Sequence, residues 1–151
     1  MTEAGSFLEF PSLREAEEFM GFQLLARRFA GRPTAIRAHV RDHRLRDVEP
    51  TLEVFFDGFV LSQARCGSRE ATRRAHDESY GPAGSLASVG GYSATCFELG
   101  EELPPDDPDP RQPSVVTWAD GELFCFMASD ELHLVRLLEV ARSLYEPRPA
   151  G

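Results

Sequence analysis

The chain has 151 residues, of which 42% are hydrophobic and 27% are charged, the proportions of a soluble globular domain. Its 25 acidic and 16 basic residues give a net charge of -9, which argues against a surface that neutralises the phosphates of DNA or RNA. We therefore expect a single domain over residues 1–151, with an ordered core at about 8–146 and no nucleic-acid partner.

Targeting signals are also absent from the sequence. No apolar run reaches the roughly 18 residues that a membrane-spanning helix needs. The first twenty residues lack the basic start and the apolar core of a signal peptide. We therefore expect a cytoplasmic protein without a membrane span.

The residue types that hold metals are too scattered to predict a metal site. The odd number of cysteines, Cys66, Cys96 and Cys125, in a chain without a signal-peptide pattern points to reduced thiols, and the absence of a Cys-x-x-Cys pair argues against a zinc site. His39 and His43 belong to a strand pattern that places them about 13 Å apart, too far to share one ion. With no lysine in the chain, Schiff-base chemistry is excluded as well. We predict neither a metal nor an organic cofactor.

In chain order, the first predicted elements are a short helix and a strand. Ser12 and Glu15 form a capping box, and apolar residues recur at helical spacing up to Gly21, which predicts a helix over about 12–20. From Ile36 onward the apolar residues alternate with arginines and histidines. This alternation predicts a half-exposed strand with a basic outer face.

Two hairpins are the clearest local signals, because each carries an Asp-Gly pair that tolerates the positive φ angles of a type I′ turn. In the first hairpin, over residues 51–64, Phe56 pairs with Phe59 and only one face is apolar. The second hairpin, over residues 114–127, is apolar on both faces. We expect it to lie in the middle of a sheet covered on both sides, or to line an apolar cleft with its second face.

The remaining segments complete the chain. Residues 68–81 are polar nearly all round, which predicts a loop or a marginal exposed helix. Residues 85–99 predict two strands that meet at Gly90-Gly91, and a proline-rich acidic loop follows. Ser129 is predicted to cap a final helix whose apolar stripe makes it the lid of the sheet. Together these elements predict an α+β fold, a curved antiparallel sheet of about six or seven strands with an N-terminal and a C-terminal helix.

One local basic patch stands out in this acidic chain. It consists of Arg37, Arg41, Arg44 and Arg46. Such a patch can bind an anionic group or an acidic partner, or it can form ion pairs with the chain's own carboxylates. Both interpretations stay open at this stage.

The residues around Ser93 resemble a catalytic motif. Gly91-x-Ser93-x-Thr95 resembles a nucleophile elbow, and His133 follows in the chain order of a hydrolase triad. An elbow requires the serine to open a helix, whereas the residues after Ser93 favour a strand. We predict no catalytic residues, and a small hydrolase with Ser93 as nucleophile, or an enzyme that uses Cys125 or His133, remains the alternative.

A string of landmarks covers most of the chain. The first landmarks are a helix ending at Gly21-Phe22, the strand AIRAHV and the hairpin LEVFFDGFVLSQA. They are followed by the tripeptide Val89-Gly90-Gly91, the segment TWADGELFCFMA and a C-terminal helix that ends in ARSLY. In these landmarks the chain resembles a bacterial family of unknown function, commonly the extracytoplasmic C-terminal domain of membrane-anchored anti-sigma factors and of sporulation-associated proteins. The resemblance implies a half-barrel similar to that of lipoprotein carriers, with an apolar concave surface. It implies a non-enzymatic sensing or binding module and supplies no catalytic residues.

We therefore expect a regulatory or binding domain that works through the second apolar face of its second hairpin. The expected ligand-binding residues are Phe55, Tyr92, Val115, Phe124 and Phe126. Their occupant would be an unknown protein or an apolar small molecule, unless a helix of the chain itself covers them. A role as a subunit of a larger assembly, in contact through the acidic loop or a strand edge, is a further alternative that leaves the oligomeric state open.

Overall fold

The computed structural model describes residues 7–39, 51–66, 68–79, 84–101 and 111–146. Within these ranges the fold is α+β, with one curved antiparallel sheet that does not close. This class agrees with the prediction, although the described sheet has eight strands rather than six or seven. The first strand has only three residues, too few for an alternation pattern to reveal it.

The strands are β1 (Phe7–Glu9), β2 (Ala35–His39), β3 (Thr51–Phe56), β4 (Phe59–Arg65), β5 (Ser85–Val89), β6 (Tyr92–Phe97), β7 (Ser114–Asp120) and β8 (Leu123–Ser129). The helices are α1 (Leu13–Met20), α2 (Arg69–Ser79) and α3 (Leu134–Ser143), with a single 3-10 turn at Leu25–Arg28. Neighbouring strands follow the order β1-β2-β3-β4-β8-β7-β6-β5. β7 and β8 therefore lie inside the sheet, and β1 and β5 form its edges.

Both predicted hairpins form, but their turns differ from the prediction. Only the glycine of each turn has a positive φ, because glycine adopts it without steric cost, so neither turn is type I′, and the second turn lies at Gly121-Glu122 rather than at Asp120-Gly121. In the first hairpin Phe56 pairs with Phe59, and in the second Asp120 pairs with Leu123. Gly121 has a φ of 62°, in the region that an L side chain rarely adopts. The second hairpin is flanked by β4 and β6, so its predicted place in the middle of the sheet is confirmed.

The two faces of the sheet carry different helices. The first face holds the main core, where α1, the 3-10 turn and α3 pack against the inward side chains of β2 to β8. Trp118, Leu52 and Leu137 are among its fully buried side chains. α2 lies on the second face, where the His76 ring is 5.6 Å from the Phe124 ring. The sheet is thus covered from both sides near β7 and β8.

The N-terminal helix agrees with its prediction, whereas the capping of the last helix differs. The Ser12 hydroxyl oxygen accepts a hydrogen bond from the Glu15 amide, as the capping box requires. Ser129, however, ends β8, and its hydroxyl oxygen accepts from the amides of Glu131 and Leu132 in the turn before α3. The Leu134 amide donates instead to the Glu98 carboxylate, 3.0 Å away. A residue distant in sequence therefore caps α3.

The segment after β4 is a helix rather than a loop. The Ser68 hydroxyl oxygen accepts from the Ala71 amide, and α2 continues to Ser79. Its inward positions are polar, because Thr72 and His76 are buried through hydrogen bonds and not through apolar contact alone. The sequence of α2 therefore lacks the apolar stripe that usually marks the buried side of a helix. Of the three described helices, none has the length and apolar character that crossing a membrane requires.

Candidate functional site

On the second face, the strand register aligns one apolar residue from each of five adjacent strands. Phe55 of β3 pairs with Val60 of β4, and Val60 pairs with Ala128 of β8. Ala128 in turn pairs with Val115 of β7, which pairs with Phe97 of β6. Directly paired residues on one face have their side chains in contact range. We call these five residues the apolar row.

Burial changes along the apolar row. Val115 and Phe97 are 0% exposed, whereas Phe55, Val60 and Ala128 remain half-buried. The apolar row is therefore fully buried at its β6 and β7 end and partly exposed at its β3 end. Two of the predicted ligand-binding residues, Phe55 and Val115, lie in it.

Two more of the predicted residues, Phe124 and Phe126, project from β8 on the same face and are half-buried. α2 covers part of this region. His76 is buried, and its Nε2 atom donates a 3.0 Å hydrogen bond to the Thr117 carbonyl. A helix of the chain itself therefore contacts the Phe124 end of this face.

A cavity of about 360 Å³ opens at the Phe55 end of the row. Its floor is apolar, formed by Phe55, Val60 and Ala128. Its rim is charged, with Arg111 placed 3.7 Å from the Asp130 carboxylate. Small-molecule sites fall in this range of volume and combine an apolar floor with a few polar groups.

The predicted basic patch is represented by one residue. Arg37 lies on β2 opposite Glu53, and its guanidinium carbon is 5.2 Å from the centre of the Phe55 ring. It therefore stands beside the open end of the apolar row. Arg41, Arg44 and Arg46 lie outside the described residues.

The fifth predicted ligand-binding residue, Tyr92, belongs to a different surface. Tyr92 and Phe97 are five positions apart on the same strand, so their side chains project from opposite faces. The Tyr92 ring lies 6.0 Å from the Tyr145 ring on the first face. The structure therefore does not bring the five predicted residues together in one site.

Tyr145 joins a buried hydrogen-bond network that the sequence analysis missed. Its hydroxyl donates to Asp120 at 2.6 Å and accepts from Trp118 Nε1 at 2.8 Å. Burial raises the pKa of Tyr145, and a hydrogen bond to Asp120 raises the pKa of Tyr92. A Cβ atom on Gly90 would come within 2.4 Å of the Tyr145 ring, so the glycine permits this close approach. In the sequence, the Gly90-Gly91 pair was the feature that pointed to this close approach.

The candidate hydrolase residues are far apart. His133 precedes α3, and its Nδ1 atom is 3.5 Å from the Glu98 carboxylate. Glu98 follows Ser93 by five positions and comes directly after β6, a separation of roughly 16 Å in an extended chain. A nucleophile and its base need hydrogen-bond contact, which this placement does not provide.

The buried cysteines are poor nucleophiles. Cys125 is 0% exposed, and burial raises its pKa, which disfavours the reactive thiolate. Burial also raises the pKa of Cys96 to about 11. Across the ranges that the structure describes, no group of three or more His, Cys, Asp or Glu side chains is placed to hold a metal ion.

No known family model matches the chain, and a search of the curated proteins finds no match either. We therefore infer function from the geometry of the surfaces described above.

Proposed function

We propose that the protein is a non-enzymatic binding module that takes an apolar group, from a protein partner or a small molecule, at the open end of the apolar row. One observation carries this proposal. The row continues without interruption from the fully buried Val115 to the half-buried Phe55, where a cavity of about 360 Å³ adjoins it.

The buried end of the row supports the proposal energetically. Val115 and Phe97 are packed in the fold, so the sheet beneath the cavity is already ordered before a ligand arrives. A preformed site avoids much of the entropy cost of ordering side chains on binding. An apolar group that covers Phe55 and Val60 removes apolar surface from water, at about 25 cal/mol per Å².

The charged rim supports selectivity rather than affinity. Glu53, Arg111, Asp130 and Glu131 surround the apolar floor. Rim charges screened by water contribute little binding energy, but they exclude partners with mismatched charges. The resemblance to anti-sigma factor domains adds a regulatory role to the proposal, in which occupation of the row changes how the domain meets a protein partner.

A matched pair of variants tests the proposal with the uncharged fluorescent probe N-phenyl-1-naphthylamine. We expect saturable, one-to-one binding to the unmodified protein and at least a tenfold weaker affinity for Val60→Glu, because a carboxylate then stands on the cavity floor. Val135→Glu places the same change on an exposed site of α3, where Val135 is 66% exposed, and should leave binding unchanged.

Phe55→Ser gives a second test that adds no charge, and circular dichroism of each variant checks that the fold is kept. Weaker binding in Val60→Glu and Phe55→Ser, together with unchanged binding in Val135→Glu, supports the proposal. Absence of saturable binding, or equal affinities in all four proteins, contradicts it.

A second candidate function, a subunit of a larger assembly, is favoured by the β5 edge. Leu86 is 78% exposed on this strand, and the strand sequence SLASV contains no charge and no proline. Exposed edges without such residues are open to pairing with another strand. Light scattering at micromolar concentration tests self-association, and Leu86→Lys should abolish it. A monomer at all concentrations argues against pairing of two copies through β5.

A further inference from the structure

A second surface lies at the turn between β7 and β8, away from the apolar row. It is a cavity of about 690 Å³ lined by Ser68, Arg69, Glu70, Arg73, Tyr92, Ala119 and Gly121. We call it the turn cleft. A neighbouring cavity of about 370 Å³ shares Arg69 and Gly121 with it, so Arg69 stands between the two.

The two arginines of the turn cleft have side chains without an ion-pair partner in the part of the chain that the structure describes. Within the described residues, neither the Arg69 side chain nor the Arg73 side chain makes a hydrogen bond or an ion pair. Arg65, by contrast, donates to the Gly21 carbonyl at 3.1 Å and lies over the Phe22 ring. Arg27 pairs with Glu17. The two cleft arginines thus keep all their donors available.

Helix geometry places these two arginines together. They are four positions apart on α2, so their Cβ atoms are about 5–6 Å apart on one side of the helix. Two guanidinium groups at this spacing can contact one tetrahedral oxyanion. The planar fork of each guanidinium matches the oxygens of a phosphate with paired hydrogen bonds.

An aromatic side chain, that of Tyr92, also lines the turn cleft. The Tyr92 ring is 36% exposed and lies 6.0 Å from the Tyr145 ring. The Tyr145 hydroxyl is held in turn by hydrogen bonds with Asp120 and Trp118. The Tyr92 ring face therefore remains available for contact with a planar group.

We propose that the turn cleft binds an aromatic phosphate monoester, with Arg69 and Arg73 holding the phosphate and the Tyr92 ring lying against the aromatic group. Among the described residues that line the cleft, Glu70 carries the one carboxylate, and it opposes an anionic ligand. The site is separate from the apolar row and does not depend on the function proposed for that row.

The test is calorimetric titration of the full chain with phenyl phosphate, inorganic phosphate and phenol. We expect phenyl phosphate to bind more tightly than inorganic phosphate, and phenol not to bind. Arg69→Gln combined with Arg73→Gln should weaken phenyl phosphate binding at least tenfold. Glu70→Gln should tighten it about twofold, because it removes a like charge from the site.

A matched control separates the site from the overall charge of the protein. Arg14→Gln combined with Arg136→Gln removes two positive charges from α1 and α3, at arginines that face solvent. This control should keep the affinity of the unmodified protein. The proposal is overturned if the control weakens binding as much as the cleft variant does, or if phenyl phosphate fails to bind at about 10 mM.

Failure of this proposal is distinguishable from failure of the function proposed for the apolar row. Val60→Glu should bind phenyl phosphate as the unmodified protein does, and the cleft variant should bind N-phenyl-1-naphthylamine normally. Phosphate binding that is lost in Val60→Glu would contradict the separation of the two sites.

Discussion

The hydroxyl of Tyr145 donates a 2.6 Å hydrogen bond to the carboxylate of Asp120, linking the end of α3 to the turn between β7 and β8. The same hydroxyl accepts a hydrogen bond from the buried Trp118 indole. These contacts attach the last helix to the hairpin in the middle of the sheet. Tyr145 also lies beside the turn cleft, because its ring is 6.0 Å from the ring of Tyr92, which lines the cleft.

The first prediction concerns this network. Tyr145→Phe leaves the Trp118 indole N–H without its acceptor at a side chain that is 0% exposed. We expect the free energy of unfolding to fall by about 1–3 kcal/mol, the usual cost of an unsatisfied buried donor. Urea denaturation measures it. Tyr92→Phe, at a more exposed ring, should cost less, and an equal loss in both variants would argue against this assignment.

The second prediction concerns the attachment of α2. His76→Ala removes the hydrogen bond to the Thr117 carbonyl and the packing against Phe124. We expect a loss of about 2–3 kcal/mol and faster amide exchange throughout α2. Hydrogen exchange followed by mass spectrometry measures both. Arg74→Ala, on the exposed side of α2, serves as the control, and similar exchange rates in both variants would contradict a holding role for His76.

The third prediction concerns pH. Hydrogen bonds from Arg27 and from the Leu24 amide hold the pKa of Glu17 below its ordinary value of 4.5. Because the folded pKa is depressed, this contribution to stability is present above the unfolded pKa and is lost as the pH falls through the folded pKa. Glu17→Gln should therefore destabilise the protein at pH 7, by about 1 kcal/mol.

The difference in unfolding free energy between Glu17→Gln and the unmodified protein should then shrink as the pH falls below about 4.5. Denaturation at pH 7 and at successively lower pH values measures this change. Glu18→Gln, at a solvent-facing neighbour, provides the control. A difference that stays constant down to acid pH would contradict the role assigned to Glu17.

The fourth prediction concerns cysteine reactivity. Cys66 is partly exposed, whereas Cys96 and Cys125 are buried thiols with raised pKa values. With iodoacetamide at pH 8, Cys66 should be alkylated on the order of a hundredfold faster than the other two. Peptide mass mapping, with urea-unfolded protein as the reference, measures the rates. Rapid stoichiometric labelling of Cys125 in the folded protein would instead favour the enzyme alternative.

The hairpins show how much of the fold was predictable. The turn at Asp57-Gly58 and the pairing of Phe56 with Phe59 depend on a few adjacent residues. Positive φ at the glycine and alternation of apolar side chains are local properties, so the sequence states them directly. The α+β class follows from the same hairpins.

The candidate sites were less predictable, because they depend on contacts between distant segments. Phe55 and Val115 were both expected on a binding surface, but their place in one row follows from pairing β4 with β8, strands that are far apart in the chain. Tyr92 was assigned to the same surface, although strand alternation places it on the other face. The capping of α3 by Glu98 likewise joins residues 36 positions apart.

Local patterns in the amino-acid sequence were enough to establish the two hairpins, the strand alternation and the class of fold, since each arises from backbone preferences within a few residues. Which helix covers which face of the sheet was decided by tertiary packing. α2 has no apolar stripe, and its burial depends on a hydrogen bond between His76 and the Thr117 carbonyl, which exists only once β7 is in place. The free arginines of the turn cleft were equally invisible in the sequence, because whether a charge is paired depends on which carboxylates the folded chain brings near it.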